Sequence, residues 1–341
     1  MKILMGSPAF LPHVGGLEIN VANLARGIAR QGHEVAVVTT TPGDGPDGLP
    51  FPVVRNPSPR EFLRWVRWCD VFFQANVSLK TLWPLLLVHR PWVVSHHSWY
   101  RRPDSRIAWQ DRTKRLLLRF AAASIAVSRA IADDLETPSV VIPNPYRDDL
   151  FRRRPEIERT GDLVFVGRLV SDKGVDVLLD ALALLGREGL RPRLTVIGDG
   201  PESQPLREQA ARLGISGQVE LLGTRTGEEL VELLNRHRIL VAPSRYNEPF
   251  GIVALEGIAC GCVVVGSEGG GLKDAIGPCG KTFRNGDPED LAQALGDLLR
   301  RPEAHAELLS HAGEHLAEHS TEGAVTAYVA AIGRALGRPA A

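Results

Sequence analysis

The sequence predicts an α/β protein of two domains, each built on a parallel β-sheet. Short apolar runs that suit buried strands alternate with longer segments of helical periodicity along the whole chain. A strand, helix, strand order needs a crossover connection, and such crossovers are right-handed between parallel strands. The chain has 341 residues, which is more than one ordinary hydrophobic core holds.

The first half begins with a βαβ unit. A helix is expected over residues 17–31 and ends at Gly32, and Ser128 is expected to cap a later helix. Gly15 and Gly16 lie in the loop after the first strand, where parallel sheets bind ligands and where glycine lets the backbone approach a phosphate or sugar. The strands predicted in this half cover residues 2–6, 34–40, 70–74, 92–95 and 123–127.

The stretch 243–261 is the most informative part of the second half. It connects a short buried strand, 239–242, to a helical pattern that starts near Ile252. A turn with Pro249 and Gly251 leaves the first backbone N–H groups of that helix without intrahelical partners, which makes an anion site. These N–H groups belong to Phe250, Gly251, Ile252 and Val253.

Two carboxylates, Glu248 and Glu256, flank this helix start. A carboxylate is a poor partner for phosphate but a good acceptor for the hydroxyl groups of a sugar. Their spacing alone is more typical of a solvated helix face. Together with the phosphate donors between them, however, they suggest a site for a sugar nucleotide.

Arg168 and Lys173 place two cations on one loop after the strand that begins near Leu163. Such cations are usually solvated, but at the ligand edge of a sheet they can stabilise the charge that develops on a departing diphosphate. This chemistry needs no metal ion, and the sequence predicts no metal site.

Several strings in the chain resemble those of the GT4 family of retaining glycosyltransferases (glycosyltransferase group 1). Glu-Pro-Phe-Gly-x3-Leu-Glu at 248–256 matches the family signature, and Gly-Arg-Leu-x3-Lys-Gly at 167–174 matches its phosphate loop. Val-Ile-Pro-Asn at 141–144 resembles the segment that connects the two family domains, although Pro145 replaces the usual glycine. Gly198-Asp199-Gly200-Pro201 corresponds to a family turn.

The resemblance implies the GT-B fold, in which two Rossmann-like, doubly wound domains face a central cleft. We expect a first domain at 1–155, a second domain on the donor side at 156–320, and a C-terminal helix within 321–341 that packs back on the first domain. The implied reaction moves a hexose-like sugar from a nucleoside-diphosphate sugar, such as a UDP- or GDP-sugar, to an acceptor hydroxyl. It proceeds with retention and without metal or other cofactor. An acceptor saccharide, lipid-linked sugar or small molecule fits polysaccharide or glycoconjugate synthesis.

The resemblance also assigns residue roles. His97 follows the strand at 92–95 and corresponds to the family histidine that reaches the donor sugar, and Glu248 holds the sugar's hydroxyls. Arg168 and Lys173 neutralise the leaving diphosphate, and Glu256 binds ribose. No residue is assigned as a nucleophile. The remaining donor-binding positions are Gly15, Gly16, Gly167, Gly198, Thr224, Arg225, Phe250, Gly251, Ile252 and Val253.

The formal net charge is zero, but residues 55–129 hold fourteen basic and four acidic side chains. Within this region, 60–68 and 101–120 mix arginine with tryptophan, leucine and phenylalanine. The pattern suits either contact with anionic lipid headgroups or an ordinary helix with a solvated basic face. Nucleic acid is disfavoured because no binding motif accompanies the charge. Without a signal peptide or membrane span in the sequence, we expect a cytoplasmic protein that is able to touch the inner face of the membrane.

Three other functions fit less well. A sugar-nucleotide epimerase or a phosphorylase on the same fold lacks support from these particular strings. A non-catalytic sugar-nucleotide-binding protein has no need of cations for a leaving group. An NAD enzyme is disfavoured because no Gly-x-Gly-x-x-Gly follows the first strand.

Overall fold

A computed structural model describes residues 1–12, 15–43, 48–100 and 108–338. The chain forms two compact units. The first comprises Met1–Pro145 and the C-terminal segment from Thr321, and the second comprises Tyr146–Ser320. Among the described residues, no helix combines the length and the apolar character that a bilayer crossing requires.

The first unit contains a seven-stranded parallel sheet. Its strands run in the order β3-β2-β1-β4-β5-β6-β7, so the winding direction reverses between β1 and β4. The two edge strands, β3 and β7, are short and only partly buried, and they carry no long apolar run that would have predicted them. The strands are β1 Lys2–Ser7, β2 Glu34–Thr39, β3 Val53–Arg55, β4 Val71–Ala75, β5 Trp92–His96, β6 Ala123–Ala126 and β7 Val140–Val141.

Two helices of the first unit begin at serine caps. The hydroxyl of Ser58 accepts from the N–H of Glu61, and the predicted N-cap is confirmed because the Ser128 hydroxyl accepts from the N–H of Ile131 at 3.2 Å. Short 3₁₀ turns cover Trp83–Leu86 and Leu118–Phe120. The helices are α1 Gly16–Arg30, α2 Pro59–Trp68, α3 Leu79–Leu82, α4 Trp109–Leu117 and α5 Arg129–Asp134.

The second unit contains a six-stranded parallel sheet of the order β10-β9-β8-β11-β12-β13. Here the winding reverses between β8 and β11. Ligands of doubly wound sheets bind at the carboxyl ends of the strands beside such a reversal. The strands are β8 Gly161–Val166, β9 Leu194–Ile197, β10 Val219–Gly223, β11 His237–Ala242, β12 Val263–Ser267 and β13 Gly280–Phe283.

Eight helices connect these strands or follow them in the described chain. The sequence predicted one helix over 303–318, which is wrong: it is interrupted where the hydroxyl of Ser310 bonds to the carbonyl of Glu307 at 2.6 Å and competes with the helical ladder. The helices are α6 Val175–Arg187, α7 Ser203–Arg212, α8 Gly227–Arg236, α9 Ile252–Ala259, α10 Leu272–Ile276, α11 Pro288–Arg300, α12 Glu303–Leu309 and α13 Ala312–Glu318.

The boundary between the units lies at Pro145 and Tyr146, whereas the sequence predicted it at 155 and 156. The segment after Tyr146 already belongs to the second unit because buried Asn235 holds it. The Asn235 side chain accepts from the N–H of Arg154 at 2.7 Å and donates to the carbonyl of Arg152 at 3.0 Å. A charged, proline-containing segment thus resembles a linker in sequence although its backbone is fixed.

The last helix, α14 Thr321–Ala335, is part of the first unit. It packs against α1, where Gly27 allows close approach: a Cβ there would lie 2.3 Å from a methyl group of Val325. Tyr328 makes an edge contact with Phe73 of β4 at 5.9 Å between ring centroids. The helix therefore covers one face of the first sheet together with α1.

Candidate active site

Two loops meet at the reversal point of the second sheet. One leads from β8 to α6 and the other from β11 to α9. The N–H of Arg245 donates to the carbonyl of Asp172 at 2.8 Å, which connects them. Gly174 is in the left-handed region, with φ of 66°, and a Cβ there would lie 1.9 Å from the carbonyl oxygen of Pro243. The two loops are therefore held together by their backbones.

Lys173 and Glu248 form an ion pair across these loops, with 2.5 Å between Nζ and Oε1. The carboxylate of Glu248 also accepts from the hydroxyl of Ser244 at 2.6 Å and from the hydroxyl of Tyr246 at 3.0 Å. Because an ionised carboxylate has about four acceptor positions, one remains for a ligand hydroxyl. The site thus presents a fixed cation beside a fixed carboxylate.

Tyr246 lies at the centre of this cluster. The Nζ of Lys173 is 5.7 Å from the centroid of its ring. Burial raises the pKa of Tyr246, and the negative charge of Glu248 raises this pKa further, so its hydroxyl remains protonated and donates at neutral pH. Nearby Arg168 acts in the opposite direction on the same pKa. The two predicted cations, Arg168 and Lys173, are therefore both close to Tyr246.

The turn into α9 exposes donors. The N–H groups of Phe250 to Val253 do not donate to any acceptor in the described part of the chain. Gly251 has φ of 122°, and a Cβ there would lie 2.5 Å from the side chain of Leu272. The N–H of Gly271 donates to the carbonyl of Glu248 at 2.7 Å, which fixes the turn from its other side. This helix start is suited to binding an anion.

Glu256 lies on α9 and is partly buried. Burial raises the pKa of Glu256 to about 7, and the positive charge of Arg147 only partly opposes this effect. Within the described chain, its carboxylate has no hydrogen-bonding partner. A desolvated carboxyl group without a partner is a suitable acceptor for a ligand hydroxyl.

The strand ends next to these loops are tightly packed. Gly198 has φ of 140°, and a Cβ there would lie 1.9 Å from the carbonyl oxygen of Gly167. The N–H of Gly198 donates to the carbonyl of Gly223 at the end of β10. The side chain of Arg225 is paired with Glu229 of α8 at 2.7 Å and donates to the carbonyl of Thr224 at 3.0 Å, so it is held by the protein.

His97 lies at the carboxyl edge of the first sheet and is partly buried. Its Nε2 is 2.8 Å from the hydroxyl of Ser95, and its N–H donates to the side chain of Asn76 at 2.8 Å. Asn20 of α1 approaches its Nδ1 at 3.4 Å and donates to Asn144 at 2.5 Å. Burial lowers the pKa of His97 to about 4, so the ring is neutral at physiological pH.

The neighbouring histidine is different. Both ring nitrogens of His96 are 2.9 Å from hydroxyls, one on Tyr100 and one on Ser124, and the side chain is fully buried. Its hydrogen bonds are therefore used inside the protein, and only His97 has the partial exposure that a ligand contact needs.

In the first unit, Gly15 is the N-cap residue of α1 and Gly16 is its first helical residue. Gly15 is extended, and the Glu18 carboxylate lies against it, whereas a Cβ on Gly16 would meet nothing within 4 Å. The backbone at Gly16 is thus open to a ligand, on the helix that also carries Asn20.

The structure brings most of the predicted site residues of the second unit together at its reversal point. Sequence reasoning missed Ser244 and Tyr246, which share Glu248, and Asn285, which accepts from the N–H of Gly269 and donates to the carbonyls of Ser244 and Tyr246. It also missed Asn20, Asn76 and Asn144 around His97. Asn144 belonged to a string with a family resemblance, which was the only available signal, because isolated polar residues in loops carry no periodicity.

Comparison with known proteins gives a consistent result. The model of Glycosyltransferase Family 4 matches residues 14–150, and the model of Glycosyl transferases group 1 matches residues 147–315. A glycogen synthase of Mycobacterium tuberculosis is 30% identical over 367 residues, which cover 89% of this chain and 87% of that relative. A D-inositol 3-phosphate glycosyltransferase of Corynebacterium jeikeium is 40% identical over 166 residues, which cover 46% and 39%.

Solved structures share the fold over almost the full length. Anabaena HepE in complex with UDP has a TM-score of 0.82 at 21% identity, covering 98% of this chain and 100% of that chain. Sucrose-phosphate synthase from Thermosynechococcus elongatus has a TM-score of 0.80 at 20% identity, covering 96% and 97%. With two family models and a full-length relative in agreement, the chain belongs to glycosyltransferase family 4 and is a group 1 glycosyltransferase with the GT-B fold.

Proposed function

We propose that this enzyme transfers a sugar from a nucleoside-diphosphate sugar to an acceptor hydroxyl, with retention at the anomeric carbon and without a metal ion. The observation that carries the proposal is the pairing of Lys173 with Glu248 at the reversal point of the second sheet, beside helix N–H groups that have no acceptor among the described residues. A sugar diphosphate needs cations and amide donors at its diphosphate end, and it needs a carboxylate acceptor for the hydroxyl groups at its sugar end.

In this mechanism the leaving diphosphate is stabilised by Arg168, Lys173 and the N–H groups of Gly251 to Val253. Negative charge grows on the departing phosphate as the glycosidic C–O bond breaks, and preorganised donors bind that charge more strongly than they bind the substrate. Fixed cations then supply the neutralisation that a metal ion supplies in other enzymes.

Glu248 and Glu256 are assigned to hydroxyl groups. Among the described residues, Glu248 keeps one acceptor position, which suits the donor sugar, and the carboxyl of Glu256 has no partner, which suits ribose. In the first unit, neutral His97 is assigned to the sugar and the Gly15-Gly16 loop to the phosphate and acceptor. Retention is proposed from the resemblance at 248–256. We assign no protein nucleophile and favour a front-face path, in which the leaving phosphate helps to deprotonate the acceptor.

UDP is the nucleotide that we place first among the donors. Anabaena HepE structures contain UDP, UDP with glucose, or UDP-glucose, and share this fold. The acceptor class remains a choice between a saccharide, a lipid-linked sugar and a small molecule. A sugar-nucleotide epimerase or a phosphorylase on the same fold is the competing proposal. Release of nucleoside diphosphate that depends on an acceptor hydroxyl would distinguish transfer from both.

The proposed donor site is tested by thermal stabilisation against UDP, GDP, ADP and their sugars, with EDTA present. A ligand at 100 times its dissociation constant adds about 2.7 kcal/mol of stability. We expect one nucleotide to give such a shift and Glu256→Gln to weaken its binding. No shift with any nucleotide would contradict the proposed donor site, and a shift that EDTA removes would contradict metal independence.

The pH dependence of Glu256→Gln distinguishes an effect on nucleotide binding from an effect on folding stability. Because the pKa of Glu256 is raised to about 7, the folded state holds an extra proton between the unfolded value of 4.5 and 7, so stability falls as pH rises through this window. Glu256→Gln should thus be more stable than the wild type at pH 8, yet bind nucleotide more weakly. If only the ionised form accepts from ribose, wild-type affinity rises about tenfold from pH 6 to pH 8. In Glu256→Gln, the affinity changes with pH only because the ligand's phosphate titrates near pH 6, so this variant is the reference.

The two adjacent histidines give a matched pair of variants. His97→Ala is expected to lower kcat/KM roughly ten- to a hundredfold, because a substrate hydroxyl loses its partner, with little change in melting temperature. His96→Ala removes a buried ring with two hydrogen bonds and should cost about 2–4 kcal/mol of stability. Normal kcat/KM in folded His97→Ala would remove His97 from the site.

A further inference from the structure

Helix α4 and the 3₁₀ turn that follows it carry large apolar side chains on the outside of the protein. Trp109 is 72% exposed, Leu116 56% and Phe120 76%. None of the residues of α4 is fully buried. Apolar groups of this size normally lie against a core, so this helix shows a face that the described chain does not cover.

Two arginines accompany these apolar groups. At 3.6 residues per turn, Trp109, Arg112 and Leu116 fall within an arc of about 60° on α4. Exposed Arg119 and Phe120 follow in the 3₁₀ turn. We call these five residues the α4 face. Among the described residues, neither arginine has an ion-pair partner, and both are exposed.

The other two cations of α4 are neutralised. Lys114 pairs with Asp111 at 3.1 Å, and Arg115 pairs with Asp134 of the neighbouring α5 at 2.6 Å. The first pair lies within α4, whereas the second connects α4 to α5 and fixes the helix to the protein. Arg112, Arg119 and the large apolar side chains, in contrast, are exposed.

The surroundings of the α4 face have the same character. Leu86 and Leu87, in and after the turn between β4 and β5, are 86% and 69% exposed. The connections β4 to β5 and β5 to β6 step across the sheet in the same direction, so as right-handed crossovers they lie side by side on one sheet face. Helix α2, whose Phe62 contacts Trp83 of that turn at 6.0 Å, adds an exposed basic stripe of Arg60, Arg64 and Arg67.

We propose that the α4 face docks on the surface of an anionic lipid bilayer. A helix with apolar and aromatic side chains between arginines lies in the plane of the interface, its rings at headgroup depth and its cations on lipid phosphates. The excess of fourteen basic over four acidic residues in 55–129 selects an anionic partner. The predicted contact over 101–120 thus rests on 108–120, because 101–107 lie outside the described residues.

Docking on a bilayer does not depend on the donor chemistry. Combined with the proposed function, on which this step rests, docking also indicates the class of acceptor. Helix α4 follows β5, whose carboxyl end carries His97, so its Trp109 end is on the catalytic side of the first sheet and its Phe120 end is near the start of β6. A bilayer along α4 therefore favours the lipid-linked sugar among the three acceptor classes.

The test is flotation of the full chain with vesicles of phosphatidylcholine, alone or mixed with phosphatidylglycerol. We expect binding only to the mixed vesicles, with loss at high salt. Arg112→Gln/Arg119→Gln should weaken binding to the mixed vesicles about 25-fold, from roughly fivefold for each basic side chain near an anionic surface. Trp109→Ser/Phe120→Ser should also weaken it. The matched control, Arg207→Gln/Arg212→Gln, removes two exposed arginines from helix α7 of the second unit and should bind as the wild type does.

Several outcomes would overturn the proposal. These are failure to bind mixed vesicles, equal binding to both vesicles, and equal weakening by the α7 control. Binding that survives both changes on the α4 face would also place the contact elsewhere. If the wild type is a dimer that Trp109→Ser/Phe120→Ser dissociates, the face is an interface between copies. Melting temperature and nucleotide binding by each variant show that the fold and donor site are intact, so a failure here is distinct from a failure of the proposed donor chemistry.

Discussion

Arg168→Ala and Lys173→Ala are each expected to reduce turnover about a hundredfold, the usual effect of removing one preorganised transition-state donor. Both cations lie near Tyr246 on loops that their backbones hold together, so they need no rearrangement when the diphosphate departs. Because the charge that they stabilise develops mainly in the transition state, kcat should fall more than the affinity for the donor sugar.

The two variants should differ in a second property. Arg168 is exposed, and its removal is expected to change stability by no more than about 0.5 kcal/mol. Removal of Lys173 leaves the carboxylate of Glu248 with two hydroxyl donors among the described residues, so Lys173→Ala should also lower the melting temperature. The double variant Lys173→Ala/Glu248→Gln should recover part of that stability without recovering turnover.

Matched controls exist in the same unit. Lys281 forms an exposed ion pair with Asp297 at 2.9 Å, and Arg207 is an exposed arginine on α7. Alanine at either position removes one positive charge from a residue that is distant in sequence from the two loops at the reversal point. Each variant should therefore have a kcat close to the wild-type value. Turnover near normal in Arg168→Ala or Lys173→Ala, measured as release of nucleoside diphosphate with acceptor present, would show that the diphosphate site is wrongly assigned.

The sequence was informative where a residue's role is local. Apolar runs located the central strands, and Ser128 was recognised as a cap because capping involves residues only three positions away. The resemblance identified Lys173 and Glu248 individually. Their ion pair could not be predicted from spacing, because it connects positions 75 residues apart through the order of β8 and β11 in the sheet.

Other features depend on single polar side chains whose hydrogen-bonding partners are far away in sequence. Asn235 moves the boundary between the units by holding Arg152 and Arg154, and Asn144 supports His97 through Asn20. Neither asparagine belongs to a periodic pattern, so sequence reasoning had no signal for its partner. The exposed apolar side of α4 was likewise ambiguous, since a hydrophobic residue at helical spacing predicts burial until the neighbouring elements are known.

Gly174→Ala is expected to destabilise the protein by about 3 kcal/mol and to reduce turnover sharply. Alanine in the left-handed backbone conformation at φ of 66° costs about 1 kcal/mol. Its Cβ would also lie 1.9 Å from the carbonyl oxygen of Pro243, and since that atom belongs to the backbone, the two loops must separate. Lys173 is the preceding residue, so separation would move its ammonium group from Glu248.

Gly214→Ala is the control that isolates the effect of this contact. Gly214 has a similar φ of 70°, but a Cβ there would meet nothing within 4 Å. Gly214→Ala should lower the free energy of unfolding by only about 1 kcal/mol, the cost of the backbone conformation. This corresponds to a fall in melting temperature of roughly 2–4 °C, and turnover should be normal. Gly174→Ala should lower the melting temperature by roughly 6–12 °C on the same scale. Equal effects of the two substitutions on melting temperature and on kcat would mean that the contact between the loops does not position Lys173, and the preorganised diphosphate site would lose its structural basis.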